Sequence, residues 1–400
     1  MDKITFVIPS RNNLEFLQLA YRSIRNLKTK HQVLVLDDAS TDGTNDWLKS
    51  LNDDDITIYS NPGPERIGIV GMFDKGIEMA TTEIIFAFHA DMVASPNLDQ
   101  NILKHLKRGT VVCATRVEPP LHPSGPEKII LPLGNEVEEF NYDSSLSKLS
   151  ELESEYKDKI TEGIFAPWCM YKDDYMNVGG HDTLFAPQSK EDSDLFNRFH
   201  LKGFKFIQSW DGLVYHFTSR GSRFNKKSGG DTGINSPEWI HTTTKNGRNF
   251  IRKWGHFVKH DEYMKPIVPS KYNIGFVVKN CTLSSLSYLE LFCDNIYCDT
   301  AEKEISQYIS DEQKNTTFNL SERVFHVNEF QRVILPTDIV VYVDAGKLQN
   351  GSQELEIIQN LSQILDSEEL EVGSYELGSL KVVVNVIKTY EKELIFIKNK

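Results

Sequence analysis

The sequence predicts an α/β fold, with a mostly parallel sheet flanked by helices and, after it, a smaller carboxyl-terminal α/β domain. Three observations carry this expectation. Short apolar runs alternate with amphipathic stretches from residue 4 to residue 88, as the β-α repeats of a sheet covered on both faces require. The first runs end in polar, turn-forming residues. Beyond about residue 265 the texture changes to isolated apolar runs set among acidic, helix-friendly segments.

The elements follow in order. Ile4-Thr5-Phe6-Val7-Ile8, closed by Pro9-Ser10, reads as a strand, and the recurrence of Leu14, Leu17, Tyr21, Ile24 and Leu27 marks one face of a helix. Residues 33–36 supply a second strand, 40–51 a capped helix, 56–59 a third strand, 69–80 another helix and 84–88 a further strand. With a boundary near Lys265-Pro266, the chain divides into a domain over 1–264 and a second over 265–400. In the second, 273–279, 339–343 and 380–387 read as strands and 353–369 as helix.

Composition bounds what such a chain can do. Its 400 residues, 40% hydrophobic and 25% charged, suffice for a well-buried core in two or three domains. No run approaches the eighteen or so apolar residues of a membrane span, and Met1-Asp2-Lys3 leads straight into a strand without a signal-peptide pattern, so a cytoplasmic protein is expected. Cys113, Cys169, Cys281, Cys293 and Cys298 are odd in number and lack zinc-like spacing, which predicts free thiols. The net charge of −13 argues against a nucleic-acid partner, although residues 220–227 form a local basic stretch. A homo-oligomer is compatible with the sequence.

Four segments carry candidate chemistry. Leu34-Val35-Leu36-Asp37-Asp38-Ala39-Ser40-Thr41-Asp42-Gly43-Thr44 is a strand ending in two carboxylates, and Asp38 stands where an acidic side chain can accept from a nucleobase or ribose. His89-Ala90-Asp91-Met92 follows a strand, so Asp91 can ligate a divalent cation or simply form a turn. Lys190-Glu191-Asp192-Ser193-Asp194-Leu195 opens a helix-like pattern downstream of Gly179-Gly180-His181-Asp182, and its carboxylates serve either as caps or as a general base. Val214-Tyr215-His216-Phe217, continuing through Arg220, Ser222 and Arg223, offers an imidazole ligand and phosphate-holding hydroxyls and arginines.

Taken in that order, residues 3 to about 225 resemble the family 2 glycosyltransferases with the GT-A fold. Val7-Ile8-Pro9-Ser10-Arg11-Asn12-Asn13 is similar to the family's opening strand and loop, and residues 36–44 to its acidic nucleotide-binding strand end. Arg66-Ile67-Gly68, then Gly71 and Asp74-Lys75-Gly76-Ile77, resembles N-x-G…N-x-G-I, with Arg66 and Asp74 in place of two asparagines. His89-Ala90-Asp91 resembles the D-x-D metal motif with His in the first position, Glu191-Asp192 the catalytic E-D pair, and Tyr215-His216 the place of a third metal contact.

The resemblance implies a metal-dependent inverting transfer of a sugar from a nucleoside diphosphate sugar, with a UDP-sugar expected, to a glycan or other hydroxyl acceptor. It implies Mn²⁺ or Mg²⁺ held by Asp91 and His216, with Asp192 as catalytic base and Glu191 in the second catalytic position, interchangeable with it. It also implies a nucleotide site from Pro9, Ser10, Arg11, Asp37, Asp38, Arg66, Gly68, His89, Ala90, Arg220 and Arg223. Gly180 and His181 fall on the acceptor side. Trp168 is either a platform for a sugar ring or a core residue. Two other classes stand beside this one: a noncatalytic nucleotide- or sugar-binding module, and more distantly a nucleotidyltransferase, whose Gly-rich opening loop Pro9-Ser10-Arg11-Asn12-Asn13 does not match. The carboxyl-terminal domain lies outside the resemblance. There Ile339 to Gly346 has the form of a strand and acidic turn, without the Gly-rich phosphate loop that would make it a ligand site.

Overall fold

The computed structural model describes residues 2–221, 223–329, 337–368 and 371–396, so Ser222 and residue 369 lie outside the described residues. Two compact units emerge: one holds residues 1–243, 260–267 and 396–400, the other 244–259 and 268–395. Set against the boundary read near Lys265-Pro266, residues 244–259 belong with the second unit and 260–267 with the first.

The first unit opens with β1 (Ile4–Ser10), α1 (Leu14–Arg25), β2 (Gln32–Asp38), α2 (Thr44–Ser50), β3 (Ile56–Asn61), α3 (Gly68–Met79) and β4 (Ile84–Ala87). It continues with β5 (Met92–Ala94), α4 (Leu98–Leu103), β6 (Thr110–Glu118), β7 (Lys128–Ile130), α5 (Tyr142–Glu155), β8 (Ile160–Thr161), β9 (Trp168–Tyr171), α6 (Lys172–Met176), α7 (Glu191–Leu201) and β10 (Lys205–His216). Helix α8 (Pro237–Trp254) begins in this unit, and its residues from 244 onward belong to the second. Among the described residues the sheet runs β3-β2-β1-β4-β9-β6-β10-β5, with β7 beside β6 and β8 beside β10. Strands β3, β2, β1 and β4 are parallel, as their α-helical crossovers require, while β9 and β5 enter antiparallel. Two apolar layers cover the sheet: Leu17, Ala20 and Ile24 of α1 pack on one side, Met72, Phe73 and Ile77 of α3 on the other.

In this unit one helix is shorter than the sequence suggests. Helix α2 begins at Thr44 rather than near residue 40 because the residues before it are committed to a loop: Gly43 has φ +93°, and Asp42 accepts from Thr44 N–H (3.2 Å), Thr44 Oγ1 (2.6 Å) and Leu14 N–H (3.0 Å). A single carboxylate thereby ties the starts of α1 and α2 together beyond the ends of β1 and β2.

The second unit contains β11 (Ile274–Lys279), α9 (Leu283–Leu289), β12 (Asn295–Cys298), α10 (Glu302–Glu312), β13 (Val324–His326), β14 (Ile339–Asp344), α11 (Gln353–Gln359), α12 (Leu361–Ser367), β15 (Gly373–Leu377) and β16 (Leu380–Val384). The strands order β13-β12-β11-β14-β16-β15. At its centre the buried Glu290 carboxylate accepts from Arg252 (2.9 Å) and Arg323 (3.1 Å), so that a charge removed from water is multiply paired. The stretch expected as one helix from residue 353 is two, Gln353–Gln359 and Leu361–Ser367, broken at Asn360.

Candidate functional site

The ends of β1, β2, β4 and β10, the start of α3 and the start of α7 border one cleft of about 400 Å³ in the first unit. Ligands of open α/β sheets bind beyond the carboxyl ends of the strands, and this cleft lies there. Pro9, Ser10 and Arg11 line it from β1, Asp38 from β2, Arg66 and Gly68 from the start of α3, and His89, Ala90 and Asp91 from the turn after β4. Glu191 and Asp192 face it from α7, His216 from β10 and Arg223 from the loop beyond.

Asp38 spends much of its carboxylate on the protein itself. Oδ1 accepts from Asn61 Nδ2 (2.8 Å) and Ile67 N–H (2.8 Å), and Oδ2 from Gly68 N–H (2.8 Å). The chain at Gly68 needs glycine: φ is +86°, and an added Cβ would stand 2.5 Å from Pro187 Cα. Arg66 ion-pairs with Glu238, which ties this turn to the start of α8.

Asp91 and His216 face each other, with Asp91 Oδ1 3.6 Å from His216 Nε2. The other carboxylate oxygen accepts the Arg220 backbone N–H (2.9 Å), and His216 Nδ1 lies 2.7 Å from Glu118 Oε1. Burial pushes the Glu118 carboxyl up, but the His216 hydrogen bond and the charges of Arg116 and Lys128 outweigh it and hold that group well below the usual range. Burial lowers the His89 imidazole, against Asp91 and Asp192, which favour its charged form. His89 therefore enters the cleft as a neutral ring beside Phe73, centroids 5.7 Å apart.

The acidic pair on α7 is split by environment. Ser189 and Lys190 both adopt left-handed backbone conformations (φ +76° and +73°), and the helix begins at Glu191 immediately after that turn. Deeper in α7, buried Asp194 and Arg198 pair at 2.9 Å and Arg198 Nη1 donates to Val178 O, fixing the helix against the preceding turn. Glu191 is 8% exposed with Oε2 unpartnered, whereas Asp192 is half-buried at the cleft. Burial, then the neighbouring Asp192 charge, raises the Glu191 carboxyl to about 8. Burial also pushes the Lys190 ammonium down.

Five residues read as site residues lie away from the cleft lining. Asp37 points into the 37–41 loop, accepting from Ser40 N–H (3.3 Å). The Arg220 guanidinium is turned into the protein, donating to Glu136 (3.0 Å) and Thr232 (2.8 Å), so only its backbone N–H serves the site. Gly180 sits at φ +68°, and His181 is fully buried with Nδ1 on Asp74 (3.1 Å). Asp74, which also accepts from Tyr175 and His181 N–H (2.9 Å), thus clasps α3 to the 179–181 turn behind the cleft. Trp168 is 1% exposed and stacked on Tyr175 (5.8 Å), because β9 is a central strand covered by α6 and α7; it offers no face to a sugar. Phe73 and Trp239 are aromatic rings at the cleft; Trp239, under Arg223 at 4.3 Å, is marked by no motif in the sequence. Glu118, by contrast, closes a strand as Asp38 does, with Arg116 in the run before it and no motif to mark it.

Among the described residues no group of three or more His, Cys, Asp or Glu converges to cage a metal ion, and no helix is long and apolar enough to cross a membrane. The donor set still fits a hard divalent cation, which commonly takes one or two protein ligands and completes its shell with phosphate oxygens and water. Asp91 and His216 supply such a pair, with the second ring nitrogen already engaged by Glu118.

Residues 5–157 match the model of glycosyl transferase family 2. This is the family that the amino-terminal motifs resemble, and the matched segment holds Asp38, the turn before Gly68 and the His89-Ala90-Asp91 stretch. Over 120 residues the chain is 25% identical to an undecaprenyl-phosphate mannosyltransferase of Micrococcus luteus, spanning 29% of this chain and about half (49%) of that protein. Solved structures similar to it include the mannosyltransferase PcManGT from Pyrobaculum calidifontis in complex with GDP-Man and Mn²⁺ (15% identity, 80% of this chain and 77% of that one, TM-score 0.42). GalNAc-T7 with UDP, GalNAc and Mn²⁺ is another (13% identity, 54% and 44%, TM-score 0.41).

Proposed function

We propose that the chain is a divalent-metal-dependent inverting glycosyltransferase that moves a sugar from a nucleoside diphosphate sugar, a UDP-sugar first, to an acceptor hydroxyl. The observation that carries this reading is the shared cleft: the Asp91–His216 pair and the Asp192 carboxylate border the same 400 Å³ space, beside the acidic strand end at Asp38. The family 2 match over residues 5–157 supports the donor half. The catalytic carboxylates lie beyond that segment and rest on geometry.

In this reading the base and ribose lie against Pro9, Ser10, Arg11 and the remaining acceptor capacity of Asp38. Asp91 and His216 would hold Mn²⁺ or Mg²⁺, which when bound neutralises the diphosphate and eases its departure. Arg66 and Arg223 add positive charge at the same wall. Half-buried Asp192 takes the proton of the acceptor hydroxyl as that oxygen bonds to the anomeric carbon and the carbon–oxygen bond to the diphosphate breaks. Glu191, its carboxyl raised by burial and by the Asp192 charge, stands beside that base as the second member of the pair. A cytoplasmic location, as the sequence leads one to expect, completes the reading.

Calorimetric titration with UDP, GDP, CDP and dTDP, each with Mn²⁺ and with EDTA, tests the reading. Binding of one nucleotide only with metal, lost in Asp91→Ala, is expected. Metal-independent binding with undiminished affinity in that variant would remove the cation from the reading.

A further inference from the structure

The Glu118 carboxylate is not part of the cleft lining, yet it decides how His216 meets it. Its Oε1 stands 2.7 Å from His216 Nδ1, while Arg116 Nε (3.2 Å) and Lys128 Nζ (3.1 Å) hold the two carboxylate oxygens from behind. A carboxylate so placed accepts from Nδ1–H, which leaves Nε2 as the ring nitrogen turned toward the cleft. Nε2 faces Asp91 Oδ1 at 3.6 Å. Two ligands cis on an octahedral ion with bond lengths of roughly 2.1 Å lie about 3 Å apart, so a small closure of this pair accommodates one cation.

Building on the proposed donor site, we infer that Glu118 is a positioning residue: it sets the His216 tautomer and ring orientation so that Nε2 and the Asp91 carboxylate converge on a single divalent cation. Arg116 and Lys128 act through it, holding the carboxylate in place. Lys128 begins β7, which pairs in parallel with the end of β6. The 128–130 segment thereby serves as a brace for the site from outside the cleft.

The test titrates Mn²⁺, alone and with UDP, into the full-length wild type, Glu118→Ala, and Glu118→Gln. A long-range proton–nitrogen spectrum of the His216 ring is recorded for each. The wild type is expected to bind Mn²⁺ with Nδ1 protonated. In Glu118→Ala the affinity should fall about ten- to a hundredfold, the usual cost of losing such a partner, and the Nε2-protonated tautomer should appear. Glu118→Gln keeps an acceptor oxygen and should recover both readouts in large part; it also replaces the alanine variant should that one fail to fold. Unchanged Mn²⁺ affinity in both variants, or weaker binding with the wild-type tautomer retained, would overturn the inference while leaving the donor site standing. A wild type that binds UDP but no Mn²⁺ would overturn both the inference and the metal-dependent reading beneath it.

Discussion

Asp38 gives the sharpest test, because the structure assigns it a measurable structural cost separate from any ligand. Its carboxylate is 3% exposed and accepts three hydrogen bonds, two of them from the Ile67 and Gly68 backbone amides. Asn61 Nδ2 also donates to Glu65 O (2.7 Å), so it keeps a partner when Asp38 is truncated. The two amides keep none that the structure shows. Leaving a buried donor unpaired costs about 1–3 kcal/mol, and the adjoining cleft admits some water, so Asp38→Ala should destabilise the first unit by about 2–4 kcal/mol. Asp38→Asn retains one acceptor oxygen but sets an amide N–H₂ against a backbone N–H, and should cost about 1–3 kcal/mol. Urea unfolding followed by tryptophan fluorescence reads this unit selectively, since Trp47, Trp168, Trp210 and Trp239 lie in it and only Trp254 lies in the other. UDP affinity should weaken in both variants, because the turn that carries Arg66 loses its anchor. Stability within about 0.5 kcal/mol of wild type in both would refute the argument that the carboxylate organises the turn.

Asp192→Asn should leave UDP–Mn²⁺ binding intact in calorimetry while slowing transfer about a hundredfold or more; wild-type turnover would move the base elsewhere, Glu191 first. The raised Glu191 carboxyl makes a pH prediction: the folded chain keeps a proton that the unfolded chain loses in the ordinary carboxylate range, so stability falls as pH rises from there to about 8. Across that window the slope is at most about 1.4 kcal/mol per pH unit, and urea midpoints of Glu191→Gln should flatten it; an equally steep profile in the variant would place the titration on another group. Gly68→Ala puts a Cβ 2.5 Å from Pro187 Cα at a backbone φ of +86°, and should cost more than the ~1–2 kcal/mol of left-handed strain alone, read as a lowered midpoint with the cleft distorted.

Where periodicity governs, the sequence was readable. The β-α alternation through residue 88 produces the expected strands and helices because β1, β2 and β4 are buried on both faces, the edge strand β3 is half-buried, and each helix buries a single stripe. The departure at α2 has a local cause that periodicity does not encode: Ser40 and Thr41 pair with Asn12 and Asp37, and Asp42 accepts from Leu14 and Thr44, in place of continuing a helix. Trp168 could not be placed from sequence for a related reason. Its neighbours in the chain do not reveal that β9 inserts antiparallel between β4 and β6, and only that insertion buries the ring.

Arg220 shows how legibility fails at the site itself. A motif locates a backbone position, and here the position does serve, since the Arg220 N–H holds Asp91 Oδ2 at 2.9 Å. The side chain, however, answers to long-range partners at Asn135 and Glu136, some eighty residues away in sequence, which draw the guanidinium into the protein. Asp74 repeats the lesson: placed by its motif on the donor side, it is consumed by Tyr175 and His181 across more than a hundred residues. Glu118 is the converse, a strand-end carboxylate with no motif to announce it, brought to His216 by the parallel pairing of β6 with β10. Strand ends of one sheet converge whatever their separation in the chain, so an acidic residue closing any apolar run beside a motif-bearing strand is a candidate member of the same site.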